Sequence, residues 1–182
     1  MKATGIVRRI DDLGRIVVPK EIRRTLRIRE GDPLEIFTNR DGEIMLKKYS
    51  PIDELGEFAG SYAESLAQTT GHLVCVTDRD YVIAAAGPKK KDYEGKPLSK
   101  QLENLIEKRG TLQALSQEDG FVKVTLDDTG DFTMEAIATI ICNGDSIGSV
   151  VIYGKDSKKF QGNVEKQLAI TAAQFLGKQM EQ

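Results

Sequence analysis

Five arginines near the start of the chain are the side chains whose type and spacing indicate a chemistry. A guanidinium is always charged and presents a planar fork of N–H donors, which suits phosphate groups and guanine edges. We predict that this set, with a lysine beside it, contacts double-stranded DNA. The alternative is an ordinary solvated basic face. The residues are Arg8, Arg9, Arg15, Arg23, Arg24 and Lys2.

The charges of the chain are divided unevenly along its length. Residues 1–50 carry 12 Lys and Arg against 8 Asp and Glu, whereas residues 51–182 carry 14 against 20. The net charge of −2 hides this division. A basic front and an acidic back predict one part that binds a polyanion and another part with a different task.

The sequence DDLGRIVVPKEIRR, at residues 11–24, predicts the elements that position three of these arginines. Gly14 tolerates positive φ at the end of a turn, and the β-branched run over 15–18 is typical of a strand. Pro19 suits the first position of a helix, because its missing N–H costs nothing there. The helix then continues over 20–26, with an apolar stripe that leaves its arginines on another face.

Further strands are predicted over residues 4–10, 34–38 and 43–49, the last two joined by a turn that ends in Asp-Gly. Neighbours on a strand point to opposite faces, so Arg8 and Arg9 cannot both face one side of a sheet. A unit of about 50 residues needs disulfides, metals or oligomerisation to be stable. Because this unit contains no cysteine or histidine, we predict an obligate dimer, with interleaved hairpins.

The stretch TGIVRRIDDLGRIVVPKEIRRTLRIREGDPLEI resembles the DNA-binding domain of the AbrB family of bacterial transition-state regulators. The resemblance covers residues 1–50 and implies a dimeric swapped-hairpin β-barrel with a looped-hinge helix. It also implies that the five arginines, which stand at basic positions of the family, contact DNA. The same fold serves antitoxins of toxin–antitoxin pairs, so an antitoxin-like protein-binding module is the alternative function.

The sequence of residues 51–182 predicts a second domain, in which helices flank a mostly antiparallel sheet. Helical apolar spacing predicts a linker helix over 51–71 and a closing helix over 163–180. These two helices would pack together beside the sheet or against a partner copy. Between them lie strands over 73–78, 81–87, 121–126, 135–142 and 146–153, and a helix over 98–108. The order of elements resembles a GAF domain, so the predicted fold class is α+β.

Over its whole length the chain is similar to a sporulation regulator of the AbrB family that adds a GAF-like sensor domain. This resemblance implies a regulator of late sporulation genes in the forespore, which both activates and represses. It also implies a tetramer with contacts in both domains. Two hypotheses stay open for residues 51–182: a ligand-free oligomerisation domain, and a small-molecule pocket on the concave side of the sheet. No cofactor is predicted.

Several classes of protein are excluded by what the sequence lacks. Cys75 and Cys142 lie in apolar runs without metal-site spacing and predict buried free thiols. His72 is the only histidine, and we expect it to be structural. Without a convincing nucleophile–base pair we expect no enzyme activity. No apolar run approaches the ~20 residues that cross a bilayer, and the first residues of the sequence lack an apolar signal segment, so we expect a cytoplasmic protein.

Overall fold

A computed structural model gives the structure of the chain, which divides into two compact units after Tyr49. We describe each unit by itself. No helix in the described part is long and apolar enough to cross a membrane. The structure describes residues 5–54, 56–128, 132–155 and 163–181.

The N-terminal unit consists of a turn, a short helix and a two-stranded hairpin. Helix α1 spans Lys20–Thr25, with Pro19 as its N-cap rather than its first helical residue. Strands β1 (Leu34–Thr38) and β2 (Ile44–Lys48) pair antiparallel. This hairpin confirms the two strands that alternation predicts in the second half of the unit.

The strands predicted over residues 4–10 and 15–18 are not formed in the single chain. The described residues of both segments have no regular secondary structure, and Thr4 lies outside the described residues. Val7 and Val17 are 84% and 72% exposed. A strand needs a neighbour for its backbone N–H and C=O groups, and no ladder with either segment forms among the described residues.

None of residues 5–49 is buried. Apolar burial is the main driving force of folding, so the N-terminal unit of a single chain lacks the core that would stabilise it. Twelve of its large apolar side chains are at least 40% exposed. They are Ile6, Val7, Ile10, Leu13, Ile16, Val17, Leu26, Ile36, Phe37, Ile44, Met45 and Leu46.

The described residues of the C-terminal unit form five strands: β3 (Leu73–Thr77), β4 (Val82–Ala86), β5 (Thr111–Leu115), β6 (Met134–Cys142) and β7 (Asp145–Gly154). Its helices are α2 (Pro51–Glu54), α3 (Gly56–Thr70), α4 (Lys100–Glu107) and α5 (Asn163–Gln179), with a 3₁₀ turn at Lys90–Asp92. The strands form one antiparallel sheet in the order β4-β3-β7-β6-β5. The predicted α+β architecture is confirmed.

Side chains from the two faces of this sheet build two apolar cores. Helices α3 and α5 cover one face, where the rings of Tyr62 and Phe175 stack at 5.3 Å. The predicted linker helix and closing helix therefore pack together beside the sheet, which is one of the two alternatives predicted for them. The opposite face, here called the α4 face, buries Leu102 and Ile106 of α4 against Tyr153 of β7.

The edge strand of the sheet differs from the prediction. Residues 121–126 form only an isolated bridge, between Thr125 and Leu98, and the edge strand is β5 instead. Burial does not follow the alternation of FVKVTL, because Val124 and the next residue, Thr125, are both buried and Leu126 is 57% exposed. That pattern does not require a neighbouring strand.

Both cysteines and the histidine are buried within the C-terminal unit. Cys75 and Cys142 are free thiols, as predicted, and burial raises the pKa of the Cys75 thiol. His72 Nε2 lies 3.4 Å from Glu165 Oε1 in the first turn of α5, which indicates a structural role. Within the described ranges, no three His, Cys, Asp or Glu side chains cluster as a metal site would require.

Candidate nucleic-acid interface

A tight turn holds Arg15. The backbone N–H groups of Leu13 and Arg15 donate to Asp11 Oδ1 at 3.0 and 2.7 Å, and Arg15 Nε donates to Asp11 Oδ2 at 2.8 Å. Gly14 closes the turn at φ +75°. The Arg15 backbone and side-chain N–H groups lower the pKa of Asp11. The Arg15 side chain is nevertheless 69% exposed, so an anion can reach its guanidinium.

Arg23 and Arg24 lie in the last turn of α1. Arg23 is partly buried, and its Nε donates to the Val18 carbonyl at 3.2 Å, whereas Arg24 is exposed. The helix ends with Ile28 N–H donating to the Arg23 carbonyl at 2.8 Å. Arg27 takes the left-handed position that follows, at φ +53°, where glycine is usual. This abrupt end fixes where the helix presents its two arginines.

Lys48 fixes the end of α1 to the hairpin. Its Nζ donates to the Arg27 carbonyl at 3.0 Å and lies 2.9 Å from Asp32 Oδ2. The Asp32 side chain is 2% exposed and also accepts the Arg29 backbone N–H at 2.8 Å. One lysine therefore satisfies the carbonyl of the residue that follows the C-cap of α1 and a nearly buried carboxylate. This contact defines the placement of α1 on β2.

The predicted residues belong to three local structures of the N-terminal unit. Arg8 and Arg9 are exposed in the extended segment, and Arg8 Nη1 donates to the Val7 carbonyl at 3.2 Å. Arg15 lies in the turn, and the remaining pair lies on α1. The sixth predicted residue, Lys2, lies outside the described residues.

Comparison with known proteins gives a match over the whole chain. The family model described as "Stage V sporulation protein T C-terminal, transcription factor" matches residues 54–181. Stage V sporulation protein T of Bacillus subtilis (strain 168) is 54% identical over 182 residues, which is 100% of both chains. This chain belongs to the stage V sporulation protein T family. The family assignment covers both units, so the similarity to a sporulation regulator is confirmed.

The N-terminal unit of this family member has relatives of its own. The transition state regulatory protein AbrB of the same organism is 61% identical over 51 residues, which is 28% of this chain and 52% of AbrB. A family model described as "Antidote-toxin recognition MazE, bacterial antitoxin" matches residues 7–54. The predicted AbrB-like domain is therefore confirmed.

The C-terminal unit has a GAF-like fold. The solved structure of the A. Aeolicus nlh2 GAF domain in an inactive state aligns with a TM-score of 0.52, over 72% of this chain and 85% of that one. The sequence identity is 13%, so the likeness concerns the fold alone. The predicted GAF-like fold of this unit is confirmed.

Sequence reasoning missed the side chains that hold the arginines in place. Asp11 is predicted only as a turn residue, although a carboxylate three residues before a glycine and four before an arginine is a signal for a capped turn. Asp32 and Lys48 lie 16 positions apart, and no local pattern joins them. Such a pair becomes visible only when the hairpin has formed.

Proposed function

We propose that this chain is a transcriptional regulator that binds double-stranded DNA through its N-terminal unit. Two copies of residues 1–50 interlock as a swapped-hairpin dimer and present the five arginines, with Lys2, on a shared surface. Residues 51–182 serve oligomerisation and small-molecule sensing. The proposal is supported by the family assignment and by 61% identity to AbrB over 51 residues.

The observation that carries the dimer is the absence of any buried residue among residues 5–49. Twelve large apolar side chains there are at least 40% exposed, whereas an ordinary soluble surface scatters such groups singly. A second copy supplies the missing core and offers neighbours to the two segments without strand partners. The two-fold dimer then doubles the number of guanidinium groups available to one duplex.

Phosphate contacts from these arginines would position the dimer on the duplex, and sequence preference would come partly from DNA shape and deformability. Arg15 and Arg24 are exposed, so phosphates reach them directly. Arg23 is held by the Val18 carbonyl, which limits its range of positions. A guanidinium so restricted loses less conformational freedom when it binds.

The proposal extends to the regulated genes. Because the chain is 54% identical over its full length to stage V sporulation protein T, we assign it to late, forespore-stage sporulation genes, as an activator and a repressor acting in the cytoplasm. We assign it a tetramer with contacts in both units. The function is regulatory and not enzymatic.

A salt titration tests DNA binding. If 6–10 phosphates are contacted, affinity falls about 10³–10⁵-fold between about 50 and 200 mM salt. In a dimer, Arg15→Ala or Arg24→Ala removes two contacts and should lower the slope of log affinity against log salt by about 2. Fluorescence anisotropy with a labelled duplex measures both quantities.

The matched control is Arg40→Ala, in the exposed turn of the β1–β2 hairpin. It removes the same charge from the same unit at a position outside the proposed set. Thermal denaturation of each variant verifies that the fold is intact. Equal slopes for Arg15→Ala and Arg40→Ala would contradict the assignment of the contact residues, and absence of binding in dilute buffer would contradict the function.

The antitoxin alternative is favoured by the match of residues 7–54 to the MazE antitoxin model. Antitoxins of this fold usually wrap their toxin with a disordered tail, whereas residues 50–182 form a compact unit with two apolar cores. Limited proteolysis distinguishes the two functions. A protease-resistant C-terminal unit supports the regulator, and rapid digestion of the whole unit supports the antitoxin.

A further inference from the structure

A carboxyl group is buried near the start of β6. Glu135 is the second residue of β6, and it is 0% exposed. It lies opposite Tyr153 of β7 and Ala114 of β5 in the strand register. Directly opposed residues share a face, so the Glu135 side chain lies on the α4 face, among the apolar side chains of that core.

Only one of the two oxygens of this carboxyl group accepts a hydrogen bond. Oε1 accepts the Val122 backbone N–H at 2.6 Å, whereas Oε2 is buried without a hydrogen-bond partner. An unpartnered buried oxygen costs about 1–3 kcal/mol, which a ligand donor would recover. A carboxylate has the geometry to accept two parallel N–H donors. Here the protein supplies one of them.

The segment that supplies this donor, residues 121–124, is here called the strap. Side chains hold it where a strand would be held by a neighbouring strand. Tyr153 Oη donates to the Val122 carbonyl at 2.7 Å and accepts the Val124 N–H at 3.1 Å. Gln101 of α4 accepts the Lys123 N–H at 3.2 Å. The Ser99 backbone N–H also donates to the Val124 carbonyl at 2.9 Å. Displacement of the strap therefore breaks this bond to a neighbouring backbone but leaves the five-stranded ladder intact.

Aromatic rings cluster around Tyr153, which lies opposite Glu135 in the strand register. The ring centroids of Phe121, Phe132 and Tyr93 lie 5.7, 5.2 and 6.2 Å from that of Tyr153. Phe121 and Val122 are partly exposed, so the strap borders solvent. An aromatic floor beside an acidic anchor suits a flat cation, which stacks on the rings and pairs with the carboxylate.

We propose that Glu135 anchors a small-molecule site on the α4 face, for a flat ligand that carries an amidine- or guanidine-type pair of N–H donors. In this structure the Val122 N–H stands in for one ligand donor, and the strap covers the site. A ligand replaces that donor, adds a second at Oε2, and displaces residues 121–124. The proposal rests on the small-molecule sensing proposed for residues 51–182 and gives it a ligand class, and its test does not involve DNA.

The charge state of Glu135 predicts that ligand binding depends on pH. Burial raises the pKa of Glu135 to about 8, and the charge of Asp128 acts in the same direction. Near pH 7 the empty site therefore holds a proton, and an amidinium that pairs with the ionised carboxylate expels it to the buffer. The titratable groups around Glu135 on the α4 face are Tyr93, Cys75, Asp128 and Tyr153.

The test uses the full-length protein and benzamidine, a flat ring with one amidinium. We expect millimolar binding by calorimetry, about tenfold tighter at pH 7 than at pH 6 because Glu135 must lose its proton. Hydrogen–deuterium exchange of the strap should accelerate, because the Val122 N–H loses its acceptor. Benzamide, which is neutral, is the control ligand and should bind at least tenfold more weakly.

The matched variant is Glu135→Gln, which still accepts the Val122 N–H through Oε1 but replaces the second acceptor by a donor. It should weaken benzamidine binding at least tenfold and abolish its pH dependence. Tyr153→Phe removes the hydroxyl that holds the strap and should tighten binding, which keeps the proposal testable if the first variant is unstable. No binding by the wild-type protein, or equal binding by Glu135→Gln, overturns the proposal.

Discussion

The two units of this chain differ most in what a single copy can bury. The C-terminal unit buries apolar side chains on both faces of its sheet, and Leu102 and Ile152 are 0% exposed. The N-terminal unit buries none of residues 5–49, and Ile36 and Val17 are 66% and 72% exposed. Both units form antiparallel strands, so the difference does not lie in secondary-structure propensity. It lies in whether one chain brings two apolar surfaces together.

Carboxyl groups show the same contrast. In the C-terminal unit burial raises the pKa of Glu135 to about 8, whereas in the N-terminal unit hydrogen bonds from Arg15 lower the pKa of Asp11. One unit is dry enough to keep an acid neutral. The other presents the Arg15 guanidinium to solvent, with its side chain 69% exposed, where a polyanion can reach it. Folding autonomy and charge presentation are thus divided between the units.

The largest effect should come from placing a charge on the exposed apolar face of the hairpin. Ile36→Asp would cost little if this face met only water. In an obligate dimer, loss of apolar burial of about 1.5–3 kcal/mol per copy should weaken association, and DNA affinity with it, roughly 10²–10⁴-fold. Limited proteolysis of the full chain should then digest residues 1–49 first.

The control for this variant is Leu126→Asp, which places the same charge on a side chain that is 57% exposed in the C-terminal unit. It should leave proteolysis and DNA binding unchanged. An Ile36→Asp protein that binds DNA as tightly as the wild type would remove the contrast between the units, because the exposed face would then need no partner copy.

The next effect concerns the pH dependence of the C-terminal unit. Below about pH 4.5 Glu135 is protonated in both the folded and the unfolded chain, so it contributes no pH dependence. Between about 4.5 and 8 the unfolded chain releases a proton that the folded chain keeps. Stability should therefore fall as pH rises through this window and level off above pH 8, by about 3–5 kcal/mol in all.

Glu135→Gln cannot ionise and isolates this contribution. Urea denaturation of the wild type and the variant should give similar free energies of unfolding near pH 4.5, and the variant should be increasingly favoured up to pH 8. Parallel pH profiles for the two proteins would show that Glu135 reaches solvent, and the C-terminal unit would then be less dry than the comparison requires.

How far the sequence predicts this molecule follows from the range of the interactions involved. Helical spacing and alternation predict α3, α5, β1 and the β6–β7 hairpin, because each pattern is local. The prediction fails over residues 121–126, where the backbone is bound by the distant side chains of Glu135 and Tyr153. It also misses β5, whose sequence TLQAL has one buried residue, Ala114.

The candidate interface shows the same limit. The types of Arg15 and Arg24 predict anion binding, because guanidinium chemistry does not depend on the fold. The Lys48–Asp32 contact that places α1 joins residues far apart in the sequence, and no periodicity encodes it. A single glutamate among the apolar residues of β6 indicates that Glu135 has a special role. Only the strand register shows that it lies opposite Tyr153.

A smaller effect on stability tests how closely α5 packs against β6 in the C-terminal unit. A Cβ added to Gly177 of α5 would lie 2.1 Å from the Ile141 carbonyl oxygen, so Gly177→Ala should cost about 1–3 kcal/mol. A Cβ added to Gly60 of α3 would have no atom within 4 Å, so Gly60→Ala should stabilise the fold by about 0.5–1 kcal/mol. Thermal denaturation measures both, and shifts of the same sign would contradict the close approach of α5 to β6.

The smallest effect concerns the turn of the N-terminal unit and is measured on DNA binding. Asp11→Asn keeps an oxygen for the backbone N–H groups of Leu13 and Arg15 but releases the Arg15 side chain, because an amide cannot form the ion pair. Asp12→Asn removes the same charge one residue away. Exposed ion pairs contribute little, so Asp11→Asn should bind a duplex about two- to fivefold more tightly than Asp12→Asn. This difference should vanish when both changes are made in an Arg15→Ala background, because coupling between two residues is lost when one is removed. A difference that persists there would show that Asp11 acts on DNA through its charge alone, and the turn would then have no part in presenting Arg15.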